Sequence, residues 1–88
     1  MLDMPKWTFL SDFEKNIIFE DYKLYHEYRK NSNRAKAKDV LVKLFDYYNE
    51  NVNFSYAKVN SAVSCGKCVQ SILTFFKREF EKWEREQS

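Results

Sequence analysis

Glycine and proline occur once each in this chain, as Gly66 and Pro5. A strand-and-turn protein needs glycine, Asn-Gly or proline at its hairpins. The chain has no Asn-Gly, Asp-Gly or Gly-Gly pair, which argues against a β fold. A single glycine cannot build a phosphate-cradling loop, so P-loop nucleotide hydrolysis is excluded. Apolar runs are only a few residues long, too short to span a bilayer. Met1 to Leu10 has no basic stretch followed by an apolar segment and does not read as a signal peptide. Two cysteines, Cys65 and Cys68, are too few for a disulfide framework. The expectation is a cytoplasmic protein, of a cell or an infected host, or a virion component, with no membrane contact and no cofactor.

What the chain does have is aromatic bulk. Eight Phe, six Tyr and two Trp sit in 88 residues. Aromatic rings bury a large area each, which offsets the small core of a short chain. The length implies a single helical domain over residues 1–88. The net charge is only +2, so local distribution matters more than the total. From Asn51 to Lys77 there is no Asp or Glu, while Lys58, Lys67 and Lys77 are present. A second basic cluster comprises Arg29, Lys30, Arg34, Lys36 and Lys38. Acids gather in the first helix (Asp12, Glu14, Glu20, Asp21, Glu27) and in the C-terminal tail.

Apolar periodicity predicts an all-α bundle of three long helices plus one short helix. After a lead-in over 1–10, helices are expected at about 11–30, 34–50, 55–61 and 64–86. Ser11 and Glu14 have capping-box spacing. Ile17, Ile18, Leu24, Tyr25 and Tyr28 form the expected core stripe of the first helix. Asn31, Ser32 and Asn33 favour a turn, because their side chains compete for backbone hydrogen bonds. Ala37, Val40, Leu41, Leu44, Phe45 and Tyr48 form the second stripe. Ser55 is the expected cap of the short third helix, with Phe54 and Val59 as a hydrophobic staple. The fourth stripe runs Cys65, Cys68, Val69, Ile72, Leu73, Phe76, Phe80 and Trp83, with Phe75 beside it.

The segment Cys65-Gly66-Lys67-Cys68 admits three readings. As a redox pair it resembles the thioredoxin active site, over four residues only; that family places the motif after a strand, and none is expected before Ser64. As a metal site the pair supplies half of a tetrahedral zinc shell, so zinc requires sharing across a dimer, with His26 the only histidine. In the third reading, the expected one, both thiols lie on the apolar face of the fourth helix and behave as small hydrophobes. His26 has no evident nucleophile or acid partner and reads as a surface histidine. Adjacent acids such as Glu20 with Asp21 read as solvated. No catalytic site is expected.

Residues Ser55 to Leu73 read as short helix, turn (Ser61-Ala62-Val63) and capped helix. This layout resembles a helix-turn-helix of repressor-type domains. It departs from that pattern at Ala62, where glycine is usual, and at Lys58, where a small alanine is usual. The resemblance implies a recognition helix presenting Gly66, Lys67, Gln70, Ser71 and Thr74. In composition the chain is also similar to small phage-encoded proteins, among them regulators, small terminase subunits, virion proteins and host-takeover adaptors. That likeness carries over no functional residue.

Two functions follow. The first is a binding or assembly protein that engages a protein partner or itself through exposed aromatics, with Trp7, Phe9, Tyr47 and Phe75 as candidates. The second is a nucleic-acid binder using Lys58, Lys67, Gln70 and Lys77, helped by Arg29, Lys30 and Arg34. Merging of the two basic clusters on one face favours nucleic acid. Separate clusters beside a large exposed apolar patch favour a partner.

Overall fold

The computed structural model describes residues 6–87; Met1 to Pro5 of the lead-in and Ser88 lie outside the described residues. The fold is all-α. A 3-10 turn at Lys6–Phe9 precedes α1 (Asp12–Lys30), α2 (Arg34–Asn51), the short α3 (Val59–Ala62) and α4 (Gly66–Gln87), and no strand occurs among the described residues.

Helix α1 begins where its cap dictates. Ser11 Oγ accepts the Glu14 N–H at 3.2 Å, and the Ser11 hydroxyl donates to the Glu14 carboxylate. Asp12 and Glu14 lie at the positive helix end, Arg29 and Lys30 at the negative end. The helix closes on Ser32, the one non-glycine residue of positive φ (58°) among the described residues. The Ser32 N–H reaches the Arg29 carbonyl at 3.1 Å and the Asn33 N–H the Tyr28 carbonyl at 2.8 Å, the Schellman arrangement. Asn33 then caps α2, its side chain accepting the Lys36 N–H at 3.3 Å. One three-residue turn thus ends α1, starts α2 and folds the two into a hairpin.

The buried face of α1 differs from the expected stripe. Ile18, Phe19, Tyr22 and Tyr25 are inside, while Ile17 is 44% and Leu24 36% exposed. The reason is α4. Phe80 and Trp83 pack on Phe19, with centroids at 5.3 and 5.2 Å, and Phe80 also packs on Tyr22. That contact turns Phe19 and Tyr22 inward and Ile17 outward, since each residue step rotates about 100° around a helix. Helix α2 buries Ala37, Val40, Leu41, Leu44 and Phe45, with Tyr48 half-buried. Phe19, Leu44, Phe45, Ile72 and Phe76 are the most completely buried large side chains. Each stabilises the fold by roughly 1.5–3 kcal/mol through burial.

The third helix is a correction. It spans Val59–Ala62 rather than 55–61, and its N-cap is Lys58, which makes no side-chain cap bond. Ser55 does not cap it, because Asn49 claims that segment. Asn49 Oδ1 accepts the Ser55 and Tyr56 N–H groups at 3.1 and 3.0 Å, and its Nδ2 donates to the Tyr56 carbonyl at 2.9 Å. The expected staple is absent as well, since Phe54 is 72% exposed. Helix α4 starts at Gly66. Its cap is Cys65, whose carbonyl accepts the Val69 N–H at 3.0 Å and whose sulfur accepts the Cys68 N–H at 3.3 Å.

Candidate functional site

The C-terminal half of α1, the start of α2, the α3–α4 turn and the first half of α4 enclose a groove of about 640 Å³. It is continuous with a second hollow of about 480 Å³ through shared walls at Tyr25, Arg29, Leu41, Val63 and Ser64. Arg29, Arg34, Lys38 and Lys77 line the combined groove, and no Asp or Glu does. Three members of the first basic cluster, Arg29, Arg34 and Lys38, therefore meet Lys77 of the second. Tyr22, Tyr25, Leu41, Val69 and Leu73 form an apolar floor, and Ser64, Gln70 and Thr74 supply polar groups on the wall.

Local structure aims these groups. Arg29 lies one helical turn after Tyr25; its guanidinium donates to the Tyr25 hydroxyl at 3.1 Å and sits 5.9 Å from that ring's centroid. The side chain is thereby held along the groove instead of free in solvent. His26 packs edge-on against Tyr22 at 4.7 Å. Burial first, and then the positive charges of Arg29 and Lys77, hold its pKa below the ordinary 6.5. Two cations from different helices thus act on one imidazole, a local measure of the positive field.

The candidate residues separate accordingly. Arg29, Arg34, Gln70 and Lys77 come together in the groove. Lys67 lies on the adjoining outer face of α4 with Gln70, Ser71 and Thr74. Lys30 and Lys58 are exposed but do not line the groove. His26, Tyr25 and Ser64 join the site without having been candidates for it, whereas Thr74 was expected on the presented face of the helix. Spacing from Arg29 identifies Tyr25 and His26 as same-face neighbours, but the pairing with α4 has no local signal. The helix-turn-helix likeness narrows, because α3 is a single turn, and Gln70 and Thr74 form the wall of a hollow.

Exposure was expected of the four candidate partner-binding aromatics, and among them Phe9 is the exposed one. Trp7 is buried, packing edge-on against Phe19, Phe75 and Phe76 at 5.7, 5.5 and 5.9 Å. Phe75 is half-buried between Trp7 and Tyr48. Tyr47 is half-buried and donates to Asp21 at 2.7 Å; burial, and then that bond, push its hydroxyl up to about 12. Phe9 is 70% exposed. Beyond it, Phe13 (75% exposed), Ile17 and Leu24 form an outer stripe on α1 at helical spacing.

Cys65 and Cys68 are free and half-buried. Cys68 packs against the core, whereas Cys65 caps α4 and stands outside the apolar stripe. The later helix start is the reason: it leaves Cys65 before the first turn. No cluster of three or more metal-ligating side chains occurs among the described residues. No helix among them is long and apolar enough to cross a membrane.

Fold and groove together define a small all-α bundle with a basic cleft lined in part by Tyr22 and Tyr25. Comparison with protein-family models, curated proteins and solved structures finds no match.

Proposed function

We propose that this protein is a non-enzymatic binding protein whose groove holds single-stranded nucleic acid. The observation that carries the reading is the convergence of Arg29, Arg34, Lys38 and Lys77 around one cleft with no carboxylate lining it. Cations placed in this way neutralise successive phosphates and release their counterions. A concave site suits a flexible strand better than a duplex, whose major groove takes a protruding helix. The exposed His26 ring offers a base a stacking surface, and Gln70, Thr74 and Ser64 offer hydrogen bonds. The deciding experiment is fluorescence anisotropy with labelled oligo-dT, oligo-U and a duplex at low and moderate salt. Tighter binding of the single strands supports the reading. No binding of either strand at micromolar protein in low salt overturns it.

A second reading, self-association, rests on the outer stripe of Phe9, Phe13, Ile17 and Leu24. This stripe exposes roughly a few hundred Å² of apolar surface, the size of an interaction patch. An antiparallel α1 pair also sets the acidic first turn of one copy near the basic last turn of the other. Sedimentation equilibrium with Phe13→Ser distinguishes this reading. A dimer that dissociates in the variant favours it, and a monomeric native protein removes it.

A further inference from the structure

We propose that Cys65 and Cys68 form a reversible dithiol–disulfide pair that exchanges with low-molecular-weight disulfides. Cys65 is the N-cap of α4 and Cys68 the third residue of the helix. An N-cap side chain folds back over that position, and here the Cys65 sulfur accepts the Cys68 N–H at 3.3 Å. Residues three apart on a helix carry Cβ atoms about 5–6 Å apart. A disulfide needs its Cβ atoms at about 3.5–4.5 Å, roughly 1–2 Å closer. The two thiols lie close enough to move each other's pKa in opposite directions, Cys65 down and Cys68 up. Closing the bond thus takes side-chain rotation and a small backbone adjustment at Cys65, which lies just before α4.

Access and polarity favour Cys65 as the attacking sulfur. Both thiols are half-exposed. The intervening Gly66 is exposed and carries no side chain to crowd the turn. The Cys65 thiol is held below its ordinary pKa mainly by the Cys68 thiol and the Cys68 N–H; burial opposes them, and the amide and charge of Lys67 add still smaller lowering effects. Cys68 is held above its ordinary value, mainly by the Cys65 thiol. Tyr56 is the other titratable group beside both sulfurs, and the chain has no Asp or Glu between Asn51 and Lys77.

The exchange balances with a small disulfide as oxidant. Cys65 loses its proton to water, and its thiolate attacks one sulfur of the small disulfide. A mixed disulfide forms and one small thiolate leaves. Cys68 then gives up its proton and attacks the Cys65 sulfur, expelling the second small thiolate. Two electrons and two protons pass to the small thiols, and the protein keeps one Cys65–Cys68 bond. The pair is separate from the groove, which neither cysteine lines.

The test equilibrates the full chain in a series of reduced and oxidised glutathione ratios, followed by acid quench, alkylation and intact-mass measurement. The expected result is one transition to a monomer that has lost two hydrogens and carries no glutathione or alkyl group, with peptides linked through Cys65 and Cys68. In single-cysteine variants, Cys65 in Cys68→Ser should alkylate on the order of tenfold faster near neutral pH than Cys68 in Cys65→Ser. Separate glutathione adducts on both cysteines across the series, or a disulfide-linked dimer as the only oxidised form, would overturn the proposal. The native-chain titration decides the matter even if a variant folds poorly.

Discussion

The indole nitrogen of Trp7 donates to the Glu79 carboxylate at 2.7 Å, across a sequence separation of 72 residues. This bond and edge-on contacts with Phe75 and Phe76 fasten the start of the described chain onto α4, and a third such contact joins it to Phe19 of α1. Trp7 is therefore part of the core. Trp7→Ala should destabilise the protein by about 3–5 kcal/mol, the usual cost of deleting a buried indole. Glu79→Gln, which keeps the shape and loses the charge, should cost about 1–2 kcal/mol. Urea unfolding of both variants and the double variant checks this. Strict additivity would mean that the two groups are not coupled.

The groove should show itself in salt dependence. Four cations line it, so single-strand affinity should fall with a logarithmic salt slope of roughly 3. Arg29→Ala and Lys77→Ala should each weaken binding and lower that slope by about 0.7. Lys58→Ala, outside the groove, should change either quantity much less. Anisotropy titrations across salt concentrations measure all three. Equal effects at Lys58 and Lys77 would place the interface elsewhere.

His26 should make binding pH-dependent. Its pKa lies below 6.5 because burial, Arg29 and Lys77 disfavour the imidazolium. For the free protein the sign follows directly. As pH falls below the ordinary value the unfolded chain binds the proton first, so the stability contribution of neutral His26 is lost on acidification. A phosphate in the groove offsets the charges of Arg29 and Lys77 and raises the imidazole pKa. Binding therefore takes up a proton, and affinity should rise from about pH 7.5 to about 5.5, up to roughly tenfold per unit of pKa displaced. His26→Gln should lose this dependence while retaining binding at the upper pH.

Ser32 carries a left-handed backbone (φ 58°) at the end of α1. A residue with a Cβ pays roughly 1–2 kcal/mol there. Ser32→Gly should relieve that strain, less the added flexibility of the unfolded chain, for a net gain of about 0.5–1 kcal/mol. Thermal unfolding followed by circular dichroism measures it. A lower melting temperature would mean that the serine side chain has a favourable role that outweighs the strain.

The all-α class and the capped starts of α1 and α2 were legible in the sequence. Helical periodicity and caps at Ser11 and Asn33 are local signals, carried within one turn of chain. The apolar stripe of α2 was legible for the same reason. Local rules misjudged α1, α3 and the Cys65 cap, where distant partners compete: Phe80 and Trp83 turn Phe19 inward, and Asn49 takes the amides expected to start α3. The groove belongs to tertiary structure altogether. Arg29 and Lys77 are each visible as charges in the chain, yet nothing local places them together beside His26. The packing of α4 across the α1–α2 hairpin does, because the buried aromatic face of α4 fixes which way its polar face points. Sequence alone determined the three long helices; the tertiary packing decided the short one and which charges meet.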